Sequence, residues 1–386
     1  VSHKSKPETI AVAAGRMSAE HFGTVNTPVY RTSTILHESY ASLKAENEAR
    51  YSYGRCGTPS TESFERAVAE LEGAARTVSV PSGLNAITTA ILAVVSTGDH
   101  ILVTDNVYGP TRRFCHGALK RLGVETTYFD PTIGAGIEEL FKPNTKLVFT
   151  ESPGSLTFEV CDIPAMAEVA HKHGALVAMD NTWATPVYFP ALKRGVDLSI
   201  QAATKYIGGH SDVMMGTISV GPDLAKQVTG YARDLGLFAG PDDCYLALRG
   251  LRTLPVRLAR HWGNGLTLAR WLEGRPEVAR VLHPALESDP GHALWKRDFT
   301  GASGLFGVVL KPIPEAKLAA FMDALEFFGL GYSWGGYESL MIPAHYVRTA
   351  TKFDATGPLI RLHAGLEDPA DLIADLEAGF AAMEAA

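Results

Sequence analysis

Three residues in this 386-residue chain are of types, and in settings, that invite chemistry. Lys205 lies in SIQAATKYIGGHSD, after a short apolar run with β-branched residues and before Gly208 and Gly209. The run reads as a buried strand end, and the glycines permit a tight turn. A lysine there is poorly placed to be a solvated surface charge, and lysine is rarely buried without a partner or a use. Desolvation lowers its pKa, and a neutral amine can form a Schiff base with a carbonyl compound. The plainer alternative is an ordinary loop lysine. Asp180 closes the apolar run ALVAMDNT. It is either a buried anionic partner or the head of a turn, because Asp-Asn-Thr is good turn chemistry. Arg361 interrupts the apolar stretch LIRLH. A guanidinium there can clamp a substrate carboxylate through two parallel hydrogen bonds, or else pair with a nearby acid.

The elements that must position these residues follow from periodicity. TPSTESFERAVAELEGA has Phe64, Val68 and Leu71 at helical spacing, with hydroxyl residues before it, acids in its first turn and Gly73 at its stop. Next come a strand (Thr77 to Val80), a turn (Pro81-Ser82-Gly83) and an apolar helix from Asn85 to about Ser96. Free N–H groups after a glycine turn, at the positive end of a helix dipole, make an anion site; a plain strand-to-helix loop is the alternative. Strands are then expected at His100 to Asp105, Glu125 to Phe129, Thr145 to Ser152, Ala175 to Thr182 and Val196 to Thr204. Helices are expected at Arg112 to Leu122 and Ile163 to His173. Near-continuous apolar strands joined by helices imply a mostly parallel sheet covered on both faces, with ligands bound beyond the strand C-termini. The texture changes near Cys244. An amphipathic stretch containing Pro255, a strand at Gly304 to Leu310, a helix near Ala316 to Leu325, LIRLHAGLED and a last helix suggest a smaller α/β domain of two strands and two flanking helices.

Asp180 and Lys205 are 25 residues apart, about one helix-plus-strand unit. Consecutive parallel units put both strand ends on one rim. A buried carboxylate and a lysine on one rim fit pyridoxal 5'-phosphate (PLP) chemistry: the carboxylate partners the protonated pyridine nitrogen and the lysine takes the aldehyde. Gly83 and its neighbours offer phosphate-binding N–H groups, Thr204 a hydroxyl, and Tyr108 a ring to stack on the pyridine. His210 and His171-Lys172-His173 have no second Cys/His cluster at ligand spacing, so no metal is expected.

Nine motifs, in order, cover nearly the whole chain: YSYGR (51 to 55), VPSGLNA, TDNVYGPT, FTESPGS, MDNTWATP, ATKYIGGHSD, GLRTLPVRL, YSWGGYES and LIRLHAGLED. With them the sequence resembles the Cys/Met-metabolism family of PLP-dependent enzymes. The resemblance implies fold type I, the PLP-dependent transferase-like α/β fold, with a mostly parallel central sheet and a smaller C-terminal α/β domain. The expected units are an arm (1–57) reaching the neighbouring subunit, a large PLP-binding domain (58–243) and a small domain (244–386). The resemblance also implies a homotetramer, a dimer of dimers with shared active sites. Lys205 would be the Schiff-base lysine, Asp180 the pyridine-nitrogen partner and Tyr108 the stacking ring with a share in catalysis. Gly83, Leu84 and Thr204 would hold the phosphate, Tyr53 and Arg55 would reach the neighbour's phosphate, and Arg361, Ser333 and Trp334 would bind substrate.

Two positions depart from the family pattern. Ala202 stands where many members carry a phosphate-binding serine, and Cys56 where a second arginine is frequent. Tryptophan in YSWGG resembles the branch that cleaves L-cystathionine at its β carbon–sulfur bond to give homocysteine, pyruvate and ammonia, a step of methionine biosynthesis. The alternatives are γ-chemistry on the same scaffold (a γ-lyase or γ-synthase) and, in a different class, a non-catalytic regulatory binding protein. Composition excludes other classes. A net charge of −7 gives no basic footprint for nucleic acid. The longest apolar stretch, about Ala86 to Val95, is too short to span a bilayer. The N-terminal stretch has no long apolar region, and four widely spaced cysteines suit reduced thiols in the cytoplasm.

Overall fold

A computed structural model describes residues 5–46 and 49–386. The first sheet has seven strands: β1 (Arg76–Val80), β2 (His100–Thr104), β3 (Glu125–Phe129), β4 (Thr145–Glu151), β5 (Leu176–Asp180), β6 (Leu198–Gln201) and β7 (Gly216–Val220). Their order is β1-β7-β6-β5-β4-β2-β3. All neighbours pair in parallel except around β7, which is antiparallel to both β1 and β6. The sheet is therefore mostly parallel, as its apolar runs imply. β7 escapes the helix–strand alternation because no helix separates it from β6, and a direct return can only be antiparallel.

Helices cover both faces, and their ends are legible locally. Pro59–Glu72 starts on Thr58, whose side chain accepts from the Thr61 N–H, and buries Phe64, Val68 and Leu71. Gly83–Val94 starts on Ser82, whose Oγ accepts from the Asn85 N–H at 3.1 Å. The amphipathic stretch with Pro255 is two helices, Pro241–Arg252 and Leu254–Glu273. The break falls at Thr253, where proline can open a new helix but not continue an old one. Pro241–Arg252 packs on Pro59–Glu72, and Leu254–Glu273 packs under the second sheet.

That second sheet has five strands, β8 (Val278–Leu282), β9 (Leu305–Leu310), β10 (Gly329–Leu330), β11 (Leu340–Pro343) and β12 (Leu359–His363), ordered β10-β11-β12-β9-β8. β9 and β12 are the two strands expected. β8, β10 and β11 correct that count; β10 and β11 have only two and four residues, and Arg280 interrupts the apolar run of β8, so alternation over them is weak. Nearer the N-terminus, Pro7–Ala13 packs against Pro59–Glu72 with Ala11 and the following Ala14 buried, whereas Phe22, Val25 and Leu36 are exposed.

One buried acid ties the two sheets together. Asp105, just past β2, is fully buried and accepts from Arg112 Nη2 at 2.6 Å. It also accepts the backbone N–H groups of Thr349, Ala350 and Thr351, at 3.0, 2.9 and 2.8 Å, in the loop between β11 and β12. These donors hold its carboxyl well below the usual carboxylate range despite burial. Removing one partner of such a buried pair costs about 3–5 kcal/mol. Asp105→Ala is expected to lower unfolding free energy by about that amount in urea titrations, and a change under 1 kcal/mol would refute the clasp.

Candidate active site

β4, β5 and β6 lie side by side in parallel and end together. Glu151 is in register with Asp180, and Asp180 with Ile200. Beyond this rim lies a cavity of about 330 Å³. Nine of the eleven candidate residues line it: Gly83, Leu84, Tyr108, Asp180, Thr204, Lys205, Ser333, Trp334 and Arg361. Tyr53 and Arg55 do not; both are exposed, and Arg55 donates from Nη1 to the Arg233 carbonyl at 3.1 Å.

Lys205 sits in the turn after β6. Its Nζ donates to Ser333 Oγ at 2.5 Å and lies 5.3 Å from the centre of the Trp334 ring. Burial, helped by the Arg361 charge and opposed by Asp180, pulls its pKa down to about 8. A neutral amine is thus accessible near physiological pH. Arg361 projects from β12, is largely desolvated, and donates from Nη2 to the Ser333 carbonyl at 2.9 Å. Ser333 has φ of +82°, a left-handed conformation that costs a non-glycine residue roughly 1–3 kcal/mol and clusters at functional sites.

Asp180 accepts from the Thr182 N–H at 3.0 Å and the Thr182 hydroxyl at 2.5 Å, both on Oδ1. Thr182 Oγ1 in turn accepts from the Ala202 N–H at 2.8 Å, linking β5 to the Lys205 turn. The turn head and the buried partner are therefore the same residue. Burial pushes the Asp180 carboxyl up, against the opposing effects of the Thr182 hydrogen bonds and the Lys205 charge. Glu151, its neighbour in register, is raised further by burial and by Asp180. Its Oε2 accepts from the Tyr108 N–H at 2.7 Å, which fixes the start of helix Gly109–Phe114. The sequence reading missed Glu151, although the same signal, an acid closing an apolar strand, was present in FTESPGS.

The helix Gly83–Val94 points its N-terminus into the cavity, and the backbone there is crowded. A Cβ on Gly83 would lie 2.5 Å from the Ala202 Cβ, so only glycine lets the chain approach this closely. Thr204 lines the cavity too, but its hydroxyl is engaged with Met215, accepting from its N–H at 2.9 Å and donating to its carbonyl at 3.1 Å. The residues fit PLP on three counts. A helix N-terminus suits a phosphate, a desolvated lysine suits an aldehyde, and a buried carboxylate whose Thr182 hydrogen bonds both fall on Oδ1 suits a protonated ring nitrogen at Oδ2. His171 pairs with Asp197 at 2.9 Å and His210 Nδ1 donates to the Gly208 carbonyl, so both have ordinary structural partners.

A family model described as Cys/Met metabolism PLP-dependent enzyme matches residues 8–381. A putative cystathionine beta-lyase of Rhizobium johnstonii is 55% identical over 95% of this chain and 93% of its own. The cystathionine beta-lyase MetC of Escherichia coli is 46% identical over 97% of this chain and 98% of its own. A crystal structure of cystathionine gamma synthase from Xanthomonas oryzae pv. oryzae, in complex with aminoacrylate and cysteine, is 34% identical. It superposes with a TM-score of 0.92 over 99% of both chains.

The Arg361 charge disfavours a charged Lys205, so Arg361→Leu is expected to raise the Lys205 pKa above about 8. The pH dependence of Lys205 acylation in the cofactor-free protein measures this. Its midpoint is expected at higher pH in the variant, and an unmoved or lowered midpoint would refute the coupling.

Proposed function

This chain belongs to the Cys/Met metabolism family of PLP-dependent enzymes, and from that premise we propose that it cleaves the β carbon–sulfur bond of L-cystathionine. The products are homocysteine, pyruvate and ammonia. The observation that carries this reading is the seating of Lys205 Nζ between Ser333 and the Trp334 ring, inside a cavity that also holds Asp180 and Arg361. When bound, PLP supplies an aldehyde for the substrate amine and an electron-withdrawing ring that makes the Cα proton removable.

The chain's own residues supply the rest. Asp180 Oδ2 would face the ring nitrogen, the Gly83 and Leu84 N–H groups the phosphate, and Lys205 the aldehyde. Thr204 can add its hydroxyl by leaving Met215. Tyr108, 43% exposed at the cavity mouth, offers its ring for stacking. Arg361 takes the substrate α-carboxylate, already steadied on one side by the Ser333 carbonyl. Lys205, neutral above about pH 8, accepts the Cα proton and returns it to the departing sulfur. Trp334 bounds the space beside that amine and restricts where the sulfur-bearing arm can lie. Burial keeps water from competing with Lys205 for the proton.

We further propose that residues 1–57 form an arm that carries Tyr53 and Arg55 to a neighbouring subunit's site, in a homotetramer built from paired large (58–243) and small (244–386) domains. Both residues are exposed and stand apart from this chain's own cavity, and apolar side chains of the arm face outward. Four cysteines without disulfides suit a reducing compartment, and we place the enzyme in the cytoplasm. Among the described residues no helix is long and apolar enough to cross a membrane.

Cystathionine turnover is expected to release pyruvate, at a rate that rises with pH through a midpoint of about 8 as Lys205 loses its proton; 2-oxobutyrate as the main product would assign γ-cleavage instead. The shared site has its own test. Arg55→Ala and Lys205→Ala proteins, each inactive alone, are expected to regain activity when unfolded and refolded together, because a mixed dimer has one intact site. Absence of recovery, with mixed dimers demonstrated, would refute the crossing arm.

A further inference from the structure

Beyond Arg361, β12 presents a second side chain to the same turn. Residues 361 and 363 share a face of the strand. His363 is 1% exposed and accepts the Gly335 N–H on Nε2 at 3.1 Å. Its Nδ1 donates to the Glu338 carbonyl at 3.1 Å. A carbonyl can only accept, so this bond fixes the proton on Nδ1 and leaves Nε2 as the acceptor that Gly335 requires. The turn from Ser333 to Gly335 is thus gripped at both ends from one strand, by Arg361 on the Ser333 carbonyl and by His363 on the Gly335 amide.

The grip matters because Gly335 rests on the lysine itself. With φ of +86°, it brings its backbone so close that a Cβ would lie 2.9 Å from the Lys205 carbonyl carbon and the Tyr206 nitrogen. A shift of this turn would move Ser333 Oγ off Lys205 Nζ and the Trp334 ring with it. The environment of His363 admits no easy alternative. Its ring stands 5.0 Å from that of His261 and 5.9 Å from that of Tyr206, and Tyr206 packs 5.4 Å from Trp334. His261 Nδ1 is itself committed to the Ala364 carbonyl at 2.8 Å.

We infer that His363 is a positioning residue for the reaction: as a neutral acceptor on Nε2 it holds Ser333 and Trp334 in place over Lys205 and so sets how the substrate lies. This rests on the lyase reading above. The test compares His363→Leu, which removes the acceptor, with His363→Gln, whose amide oxygen can replace Nε2, both as PLP-loaded enzyme. One lost hydrogen bond at this turn is expected to lower kcat/KM for cystathionine roughly tenfold in His363→Leu. KM is expected to rise with it, because Arg361 loses its fixed partner at Ser333. PLP content is expected to stay stoichiometric, and His363→Gln to recover most of the loss. Wild-type kinetics in His363→Leu, or equal damage in the two variants, would overturn the inference. If His363→Leu fails to fold, amide hydrogen exchange of the wild-type enzyme decides: slow exchange at Gly335 is expected, and fast exchange overturns it. The wild-type product, measured alongside, keeps the two readings apart. Should it be 2-oxobutyrate, the β-lyase reading falls, while the Leu–Gln comparison still judges His363 on that reaction.

Discussion

The site depends on one backbone contact between the two lobes, that of Gly335 on Lys205 and Tyr206. Lys205 belongs to the rim of the large sheet, and the turn from Ser333 to Gly335 belongs to the small one. Neither sheet alone makes a cavity. Close approach is possible because position 335 has no side chain and can adopt a left-handed backbone. From that contact follow the Ser333 bond to the lysine amine, the aromatic wall beside it and the reach of Arg361 from β12. The interface thus sets the chemistry as well as the packing.

Within the cavity, charge is managed by burial more than by pairing. Two cations, Lys205 and Arg361, share one side; burial lowers the pKa of both, the Arg361 charge lowers that of Lys205 further, and the lysine yields because guanidinium is far harder to deprotonate. Two acids, Glu151 and Asp180, share the other side, and burial raises both. The Tyr108 amide steadies Glu151, and Thr182 occupies one oxygen of Asp180. This leaves Asp180 as a carboxylate whose free oxygen gains most from a cation placed opposite it. Perturbed groups gathered in one cavity in this way are a mark of functional sites.

Much of this was legible in the sequence, for identifiable reasons. Lys205, Asp180 and Gly83 each close or follow an apolar strand, and strand-and-helix alternation forces such positions onto one rim. Arg361 stood out as a charge within an apolar strand. Glu151 had the same signature but was read only as part of a motif. β7 was missed because a strand returning without a helix breaks the alternation on which the reading relied. β10 and β11 were missed because strands of two and four residues hold too few alternations to register, and β8 because Arg280 interrupts its apolar run. His363 could not have been found by pattern, since its role lies in which nitrogen carries a proton. Only the Glu338 carbonyl reveals that. Tyr53 and Arg55 illustrate a different limit: their setting in one chain gives them nothing to do in that chain's cavity.

The reversal of β7 has an effect on access. Because the chain passes from the lysine turn straight into an antiparallel strand, no crossover helix lies between β6 and β7 beside Lys205. The short segment before Gly216 borders the cavity there, and its Met214, 64% exposed, lines it. A thioether on a flexible stem gives way more readily than a packed helix. This border of the cavity is therefore made by loop residues and not by a helix. Loops of this kind tolerate change more readily than the strand ends they border.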